Sequence, residues 1–210
     1  MVTVHHLNYS RSTRILWCLE EIGQPYAVVS HLREPGFRAP NSLRAVHQSG
    51  KAPVLSDEGL VVAESGVILD YLDKRYGGRR FTPIDKTAWL EHAQWMYFAD
   101  CGLGAGLMTT LYGRLSGGLG GTFEAIVTRE TDVALARVEE RLAAEVAAPY
   151  LFGDMLMLVD FQLVYVLELA SYLGLLSAYP GILAYLMRLN ARSALKRAVV
   201  AGGPMMPPPR

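Results

Sequence analysis

The junction between a predicted strand and a predicted helix carries the first residues that could do chemistry. In the stretch LNYSRSTRILW (7–17), Ser10 and Ser12 stand where a β-branched run ends and an amphipathic helix begins. A hydroxyl at this position can cap the helix. It can also donate a hydrogen bond to a thiolate at the positive end of the helix dipole, and both effects lower a thiol pKa. The residues alone leave both interpretations open.

A second group of candidate site residues lies in GKAPVLSDEGLVVAES (50–65). Pro53 opens a predicted strand, and its bond to Ala52 is a candidate cis peptide. A cis bond would leave the N–H and C=O of Val54 free to pair with an extended peptide. Glu64 and Ser65 follow at a predicted helix N-terminus, where backbone N–H groups attract a carboxylate. The stretch predicts a small-peptide site, with simple helix capping by Ser65 as the alternative.

Composition and charge argue against several other functions. Lys plus Arg and Asp plus Glu number 20 each, so the chain lacks the basic excess of a nucleic-acid binder. The N-terminus does not resemble a signal peptide, and no stretch is a convincing membrane span. The five histidines and two cysteines show no metal-ligand spacing, which predicts no bound metal. The low cysteine count indicates a soluble protein of a reducing compartment, most simply the cytoplasm.

The elements that must position these residues fall into two regions. Residues 1–78 alternate strand and helix patterns in the order β-α-β-(α)-β-β-α, which predicts an α/β domain with one small sheet. Residues 79–86 form a polar, proline-containing linker. Residues 87–203 lack strand patterns and predict an all-α domain, followed by a disordered or loosely packed tail at 204–210. The predicted helices of the second region span about 86–115, 122–147, 158–173, 179–190 and 192–201.

The order of elements and the two motifs together resemble the cytosolic glutathione transferases. The similarity is greatest to bacterial and fungal members whose first helix begins SRSxRxLW. The matching segments are YSRSTRILWCLEEIGQPY (9–26), HQSGKAPVL (47–55) and LVVAESGVILDYL (60–72). The resemblance covers nearly the whole chain and implies a thioredoxin-like N-terminal domain followed by an all-helical bundle.

The resemblance also implies roles for individual residues at a glutathione site. Val54 would pair its backbone with the cysteinyl part of glutathione, and Glu64 and Ser65 would hold the γ-glutamyl amine and carboxylate. Lys51 would face the glycyl carboxylate, with His47 as a second candidate. The full set of implied glutathione contacts is His47, Lys51, Ala52, the cis-proline Pro53, Val54, Glu64 and Ser65.

Three side chains at the strand–helix junction compete as the group that activates the sulfur. Ser10, four residues before Arg14, matches the activating hydroxyl of the serine-type classes. Asn8 is a further candidate because a side-chain amide can donate to sulfur, and Tyr9 is off the register of the tyrosine-type classes. The junction lacks the Cys-x-x-Cys of thioredoxin itself, so the reactive sulfur must come from the bound tripeptide.

The activity implied by the resemblance is transfer of glutathione to an apolar electrophile bound between the domains. Glutathione would be a co-substrate, with no other cofactor and no metal. The expected assembly is a homodimer that binds neither nucleic acid nor membrane. The alternatives are a glutathione-dependent peroxidase or disulfide reductase, and a non-enzymatic binding module with the same fold.

Overall fold

The computed structural model describes residues 1–144 and 148–208, and its contacts divide the chain into two compact units. The first unit consists of Met1–Thr82 together with Leu189–Arg210, and the second of Pro83–Arg188. The sequence assigned residues 87–203 to one helical domain, whereas the contacts group the residues from 189 onward with the first unit. The last two residues of the predicted tail, 209 and 210, lie outside the described residues.

A four-stranded mixed sheet forms the centre of the first unit, with the strand order β2-β1-β3-β4. Strand β1 is parallel to β2 and antiparallel to β3, and β3 is antiparallel to β4. The predicted order of strands and helices is confirmed, including the short helix between β2 and β3. The elements are Val2–Leu7 (β1), Ser12–Ile22 (α1), Tyr26–His31 (β2), Asn41–Val46 (α2), Val54–Asp57 (β3), Leu60–Ala63 (β4) and Ser65–Leu72 (α3), with a wider helical turn at Asp73–Gly77.

Strands β3 and β4 form the predicted hairpin around a two-residue turn. The turn residues Glu58 and Gly59 have φ values of 47° and 86°. Positive φ at both central positions is the requirement of a type I′ turn, whose twist matches that of paired strands. The turn therefore fixes the register in which Asp57 faces Leu60 and Val54 faces Ala63.

A C-terminal helix, α9 (Ser193–Gly202), packs along α1 and completes the first unit. Gly202 allows a close approach, because a Cβ there would lie 2.5 Å from the Leu16 side chain. Just before α9, Arg192 donates two hydrogen bonds to the Glu21 carboxylate, at 2.6 and 2.8 Å. The apolar face of α9 consists of Ala194, Leu195 and Ala198, which are all buried.

The segment after α9 is held against the same unit and differs from the loosely packed tail that the sequence predicts. The Thr13 hydroxyl donates a hydrogen bond to the Gly203 carbonyl at 3.2 Å. The side chain of Met205 is 5% exposed. Burial of this apolar side chain stabilises the packed conformation and offsets the entropy cost of ordering the segment.

Helices make up the second unit, and the part of it that the structure describes contains no β-strand. Helix α4 begins after Asp85, whose carboxylate accepts hydrogen bonds from the backbone N–H groups of Thr87 and Ala88. The predicted helix at 86–115 is divided by a wider helical turn, and 145–147 of the predicted helix at 122–147 lie outside the described residues. Among the described residues, no helix has the length and apolarity needed to cross a bilayer. The helices from residue 83 to α9 are Lys86–Tyr97 (α4), Gly104–Leu115 (α5), Gly121–Ala143 (α6), Leu158–Tyr172 (α7) and Pro180–Ala191 (α8).

The central helix α7 is buried along most of its length and is anchored by a buried carboxylate. Asp160 is fully buried, and one of its oxygens accepts a hydrogen bond from the Met157 N–H at 2.7 Å. The other oxygen accepts from the Leu151 N–H and from the Tyr185 hydroxyl. The acid therefore satisfies the start of α7 and links it to two other segments, although Met157 replaces the hydroxyl residue of a usual capping box.

Replacing Asp160 should destabilise the second unit strongly. Asp160→Ala leaves three donors without this acceptor, two of them buried, and we expect the free energy of unfolding to fall by about 3 kcal/mol or more. Tyr185→Phe removes one donor and should cost about 1 kcal/mol. The exposed Asp154 provides the control, since Asp154→Ala should change stability by less than about 0.5 kcal/mol. Urea unfolding checks these values, and equal midpoints for the two aspartate variants would contradict the proposed role of Asp160.

Candidate functional site

The sheet register brings three separate segments to one end of the sheet. Residue Val54 at the start of β3 faces His5 near the end of β1 and Ala63 at the end of β4. The segments that follow β1, precede β3 and follow β4 must therefore lie at the same sheet end. An apolar cluster confirms this for the first two segments, because Leu7 and Val54 pack there with Ala52.

The Ser10 hydroxyl, the first candidate for thiol activation, is engaged inside the protein. Ser10 is 4% exposed, and its hydroxyl donates to the Leu7 carbonyl at 2.6 Å. The same oxygen accepts from the Ser12 backbone N–H at 3.2 Å. The hydroxyl thus shapes the turn into α1, and it can donate to an external sulfur only by giving up its bond to Leu7.

The buried hydroxyl network continues to a histidine that the sequence did not single out. The Ser12 hydroxyl oxygen lies 2.7 Å from the Ser10 hydroxyl oxygen and 2.9 Å from Nδ1 of His6. It also accepts from the Leu7 backbone N–H at 3.2 Å. Burial lowers the pKa of His6, which favours the neutral ring as a hydrogen-bond partner. The spacing His6…Ser12 crosses from a strand to a helix, so no local sequence pattern signals this contact.

Asn8 and Tyr9 form the part of this turn that is partly open to solvent. The backbone N–H of Arg33 donates to Oδ1 of Asn8 at 2.8 Å. Because an N–H can only donate, this bond fixes which end of the Asn8 amide is the oxygen and leaves the Nδ2 donor on the other side. No hydrogen bond from Nδ2 is found within residues 1–144 and 148–208. Tyr9 has a φ of 53°, in the left-handed region.

The Ala52–Pro53 peptide bond is cis, as the sequence suggested. Val54, however, lacks the free backbone edge expected of it, because it is fully buried and lies between His5 of β1 and Ala63 of β4. Ala52 lies just outside the sheet and is half-buried, and no backbone hydrogen bond to it is found in the described part of the chain. Its N–H and C=O are therefore the backbone groups that an extended peptide can reach.

The turn before the cis peptide holds His47 and Lys51, the two residues predicted to face the glycyl carboxylate. His47 is half-buried, and its Nδ1 lies 2.8 Å from the Ser49 hydroxyl and 3.3 Å from the Ser49 N–H nitrogen. Lys51 is exposed, and only its backbone N–H is drawn into the turn, where it donates to the Ser49 hydroxyl at 3.4 Å. The side chain of Lys51 is thus available to an anion beside Ala52.

Glu64 and Ser65 lie at the N-terminus of α3, as predicted. Glu64 has a φ of 67°, and α3 begins at Ser65 itself without a side-chain cap. The alternative in which Ser65 only caps the helix is therefore not observed. Within the described residues the Ser65 hydroxyl has no hydrogen-bond partner, and the first backbone N–H groups of α3 have none inside the helix. A carboxylate can accept from the hydroxyl and from these N–H groups together.

Both cysteines are free thiols. Cys18 is fully buried in α1, and desolvation raises its pKa far above the usual range, which keeps the thiol protonated. Cys101 belongs to the other unit. In the described parts of the chain, no group of three or more histidine, cysteine or acidic side chains is arranged to hold a metal ion.

Comparison with known proteins identifies the family. A family profile described as "Glutathione S-transferase, N-terminal domain" matches residues 4–80. Glutathione S-transferase 3 of Schizosaccharomyces pombe is 38% identical over 104 residues, which are 49% of this chain but only 43% of that protein. Glutathione S-transferase 4 of Zea mays is 30% identical over 208 residues and is covered to 91%, as is this chain.

Solved structures agree with the sequence comparison along almost the full length. A glutathione S-transferase from Actinobacillus pleuropneumoniae superimposes with a TM-score of 0.86 at 31% identity, and the match covers 96% of this chain and 93% of that one. The similarity thus includes both the unit that carries the candidate site and the helical unit. The chain belongs to the glutathione S-transferase family.

Proposed function

We propose that the protein binds glutathione and activates its thiol for transfer to an apolar electrophile. The observation that carries this proposal is the convergence, at one end of the sheet, of a free backbone segment, an open helix N-terminus and a turn at the start of α1. Each offers a complement to one part of a tripeptide. A calorimetric glutathione titration followed by a conjugation assay tests the proposal, and no binding at millimolar glutathione would overturn it.

The proposed binding mode follows the chemistry of each segment. The cysteinyl backbone of glutathione pairs with Ala52 rather than with Val54, because Val54 is already inside the sheet. The γ-glutamyl carboxylate accepts from the Ser65 hydroxyl and the first N–H groups of α3, and Glu64 receives the amine. The glycyl carboxylate lies near Lys51, within the turn that His47 shapes.

Activation of the thiol requires stabilising its anion relative to water. A free thiol has a pKa near 8.5, so lowering it by about two units corresponds to roughly 3 kcal/mol. We assign the side-chain donor to the Asn8 amide, because its Nδ2 is available whereas the Ser10 hydroxyl already donates to Leu7. The positive end of α1 supplies the remaining stabilisation.

The reaction in this proposal needs only the two substrates. The thiol proton passes to solvent, and the thiolate then forms a carbon–sulfur bond with the electrophile. A leaving group, where the electrophile has one, departs with the electron pair of the broken bond. The two cysteines are both free thiols, and we propose the reducing cytoplasm as the compartment.

Removing the γ-glutamyl contacts should weaken binding without changing the reactivity of the bound sulfur. Glu64→Ala and Ser65→Ala should each reduce the affinity for glutathione by about 1–3 kcal/mol, since a charged group of the ligand loses its partner. Glu58→Ala, in the hairpin turn, provides an exposed acidic control. Calorimetry measures the change, and unchanged affinity in both site variants would remove this assignment.

Removing the activating donor should lower the reactivity of the bound thiol and leave the affinity for the ligand nearly unchanged. Asn8→Ala should raise the pKa of bound glutathione by about one unit and leave the affinity for S-methylglutathione, which has no thiol, within about threefold. Ser10→Ala should change the thiol pKa less, because its hydroxyl is turned towards Leu7. Thiolate absorbance against pH in these variants and in Tyr9→Phe shows which side chain stabilises the thiolate. A shift confined to Ser10→Ala or Tyr9→Phe would contradict the role of Asn8.

We also propose a homodimer. The edge strand β4 and helix α3 expose the apolar side chains of Leu60, Val61 and Val67 at 54%, 51% and 56%. An edge strand with exposed apolar side chains is a place where a second chain can associate. Light scattering should give twice the monomer mass, and a monomer at micromolar concentration would contradict the proposal.

A further inference from the structure

Arg33 crosses from the loop after β2 to the turn that carries the proposed thiol donor. Its Nε donates to the Asn8 carbonyl at 3.0 Å, and its Nη2 donates to the Tyr9 carbonyl at 3.0 Å. Its own backbone N–H donates to Oδ1 of Asn8 at 2.8 Å. One residue therefore takes up three hydrogen-bond acceptors of a turn that is only two residues long.

These bonds engage the acceptor oxygens of the turn and leave a donor of the same turn unengaged. An anion such as a thiolate is stabilised by donors and repelled by carbonyl oxygens. The acceptors of Asn8 and Tyr9 are directed to Arg33, which leaves the Nδ2 group of Asn8 as a side-chain donor for another partner. This arrangement favours a bound anion beside the Asn8 amide.

The contacts of Arg33 also explain how a tyrosine is held in a left-handed conformation. Tyr9 has a φ of 53°, which is costly for a residue with a bulky side chain. The carbonyls of Asn8 and Tyr9 lie on either side of the Tyr9 α-carbon, and both accept from the same guanidinium group. Because the guanidinium is planar and its donors have a fixed geometry, it sets the relative orientation of the two carbonyls.

The guanidinium is itself held in place by its own loop. Nη1 of Arg33 donates to the Phe37 carbonyl at 2.7 Å, and the guanidinium carbon lies 4.1 Å from the centre of the Phe37 ring. Stacking and hydrogen bonding together reduce the number of side-chain conformations that Arg33 can adopt. The guanidinium group of Arg33, whose N–H donors form a fork, is therefore preorganised before any ligand reaches the turn.

We propose that Arg33 is a positioning residue for thiol activation: by binding three oxygens of the Asn8–Tyr9 turn, it directs the donors of that turn towards the sulfur of glutathione. This inference rests on the proposed function and extends it to a residue outside the glutathione contacts. Arg33 acts through Asn8 and Tyr9 and is not proposed to touch either substrate.

The test compares two Arg33 variants with a control from the same loop. Arg33→Ala removes the two guanidinium bonds to the Asn8 and Tyr9 carbonyls but keeps the backbone N–H bond to Oδ1 of Asn8. Arg33→Lys keeps the positive charge but not the planar geometry. Arg38→Ala, at an exposed position, removes a charge nearby. The first measurement is the thiolate absorbance of the glutathione complex against pH, and the second is the affinity for S-methylglutathione. Thermal unfolding verifies that each variant is folded.

We expect Arg33→Ala and Arg33→Lys each to raise the pKa of bound glutathione by about one unit, which is a tenfold loss of thiolate at pH values below the pKa. Affinity for S-methylglutathione should stay within about threefold of the wild type, and Arg38→Ala should match the wild type in both measurements. In an Asn8→Ala background, Arg33→Lys should add little further shift, because both residues act through one turn.

Three outcomes overturn the inference. An unchanged thiol pKa in both folded variants, Arg33→Ala and Arg33→Lys, shows that the turn does not need the guanidinium bonds. A normal pKa in Arg33→Lys with a raised one in Arg33→Ala shows that charge matters and geometry does not. A full additional shift in the Asn8→Ala background shows that Arg33 acts elsewhere. These results differ from failure of the proposed function, in which the wild type binds neither glutathione nor S-methylglutathione.

Discussion

The antiparallel pairing of β1 with β3 is the constraint on which the candidate site depends. It places the end of β1 beside the start of β3, and the β3–β4 hairpin then returns the chain to the same end of the sheet. A slip of one residue would turn the buried Val4 and Leu55 to the opposite face, so burial fixes the register. The same forces that make the core thereby align the Ala52 backbone with the turn after Leu7.

The polar groups buried at this sheet end form hydrogen bonds within the protein. The hydroxyls of Ser10 and Ser12 satisfy the Leu7 backbone and each other, and they reach the buried ring of His6. Leaving such groups without partners costs about 1–3 kcal/mol each, so the network is maintained in the absence of any ligand. A hydroxyl that already donates its hydrogen to the backbone cannot at the same time donate it to a ligand sulfur.

The sequence predicted what depends on local pattern. Alternating and helical periodicities identified the strands and helices, and Pro53, Glu64 and Ser65 stood out because proline and helix ends have strong local preferences. It failed where a contact joins distant residues: Val54 is inside the sheet because of its pairing with β1. Likewise, the apolar face of α9 shows that the helix is buried but not which unit buries it. The engagement of Asn8 by Arg33 depends on a loop whose shape has no simple sequence signal.

In the proposed site, affinity for glutathione depends on the ends of regular elements, whereas reactivity of its thiol depends on an irregular turn. The proposed binding groups, Ala52 and Ser65, lie at the ends of regular elements whose positions the sheet fixes. The proposed activating turn instead contains Tyr9 in a left-handed conformation outside the regular elements. Arg33, from another loop, holds this turn with two guanidinium bonds and one backbone bond. A substitution in the loop after β2 can therefore change the reactivity of the bound thiol while the glutathione contacts stay the same. Thiol reactivity and glutathione affinity thus depend on different segments of one site.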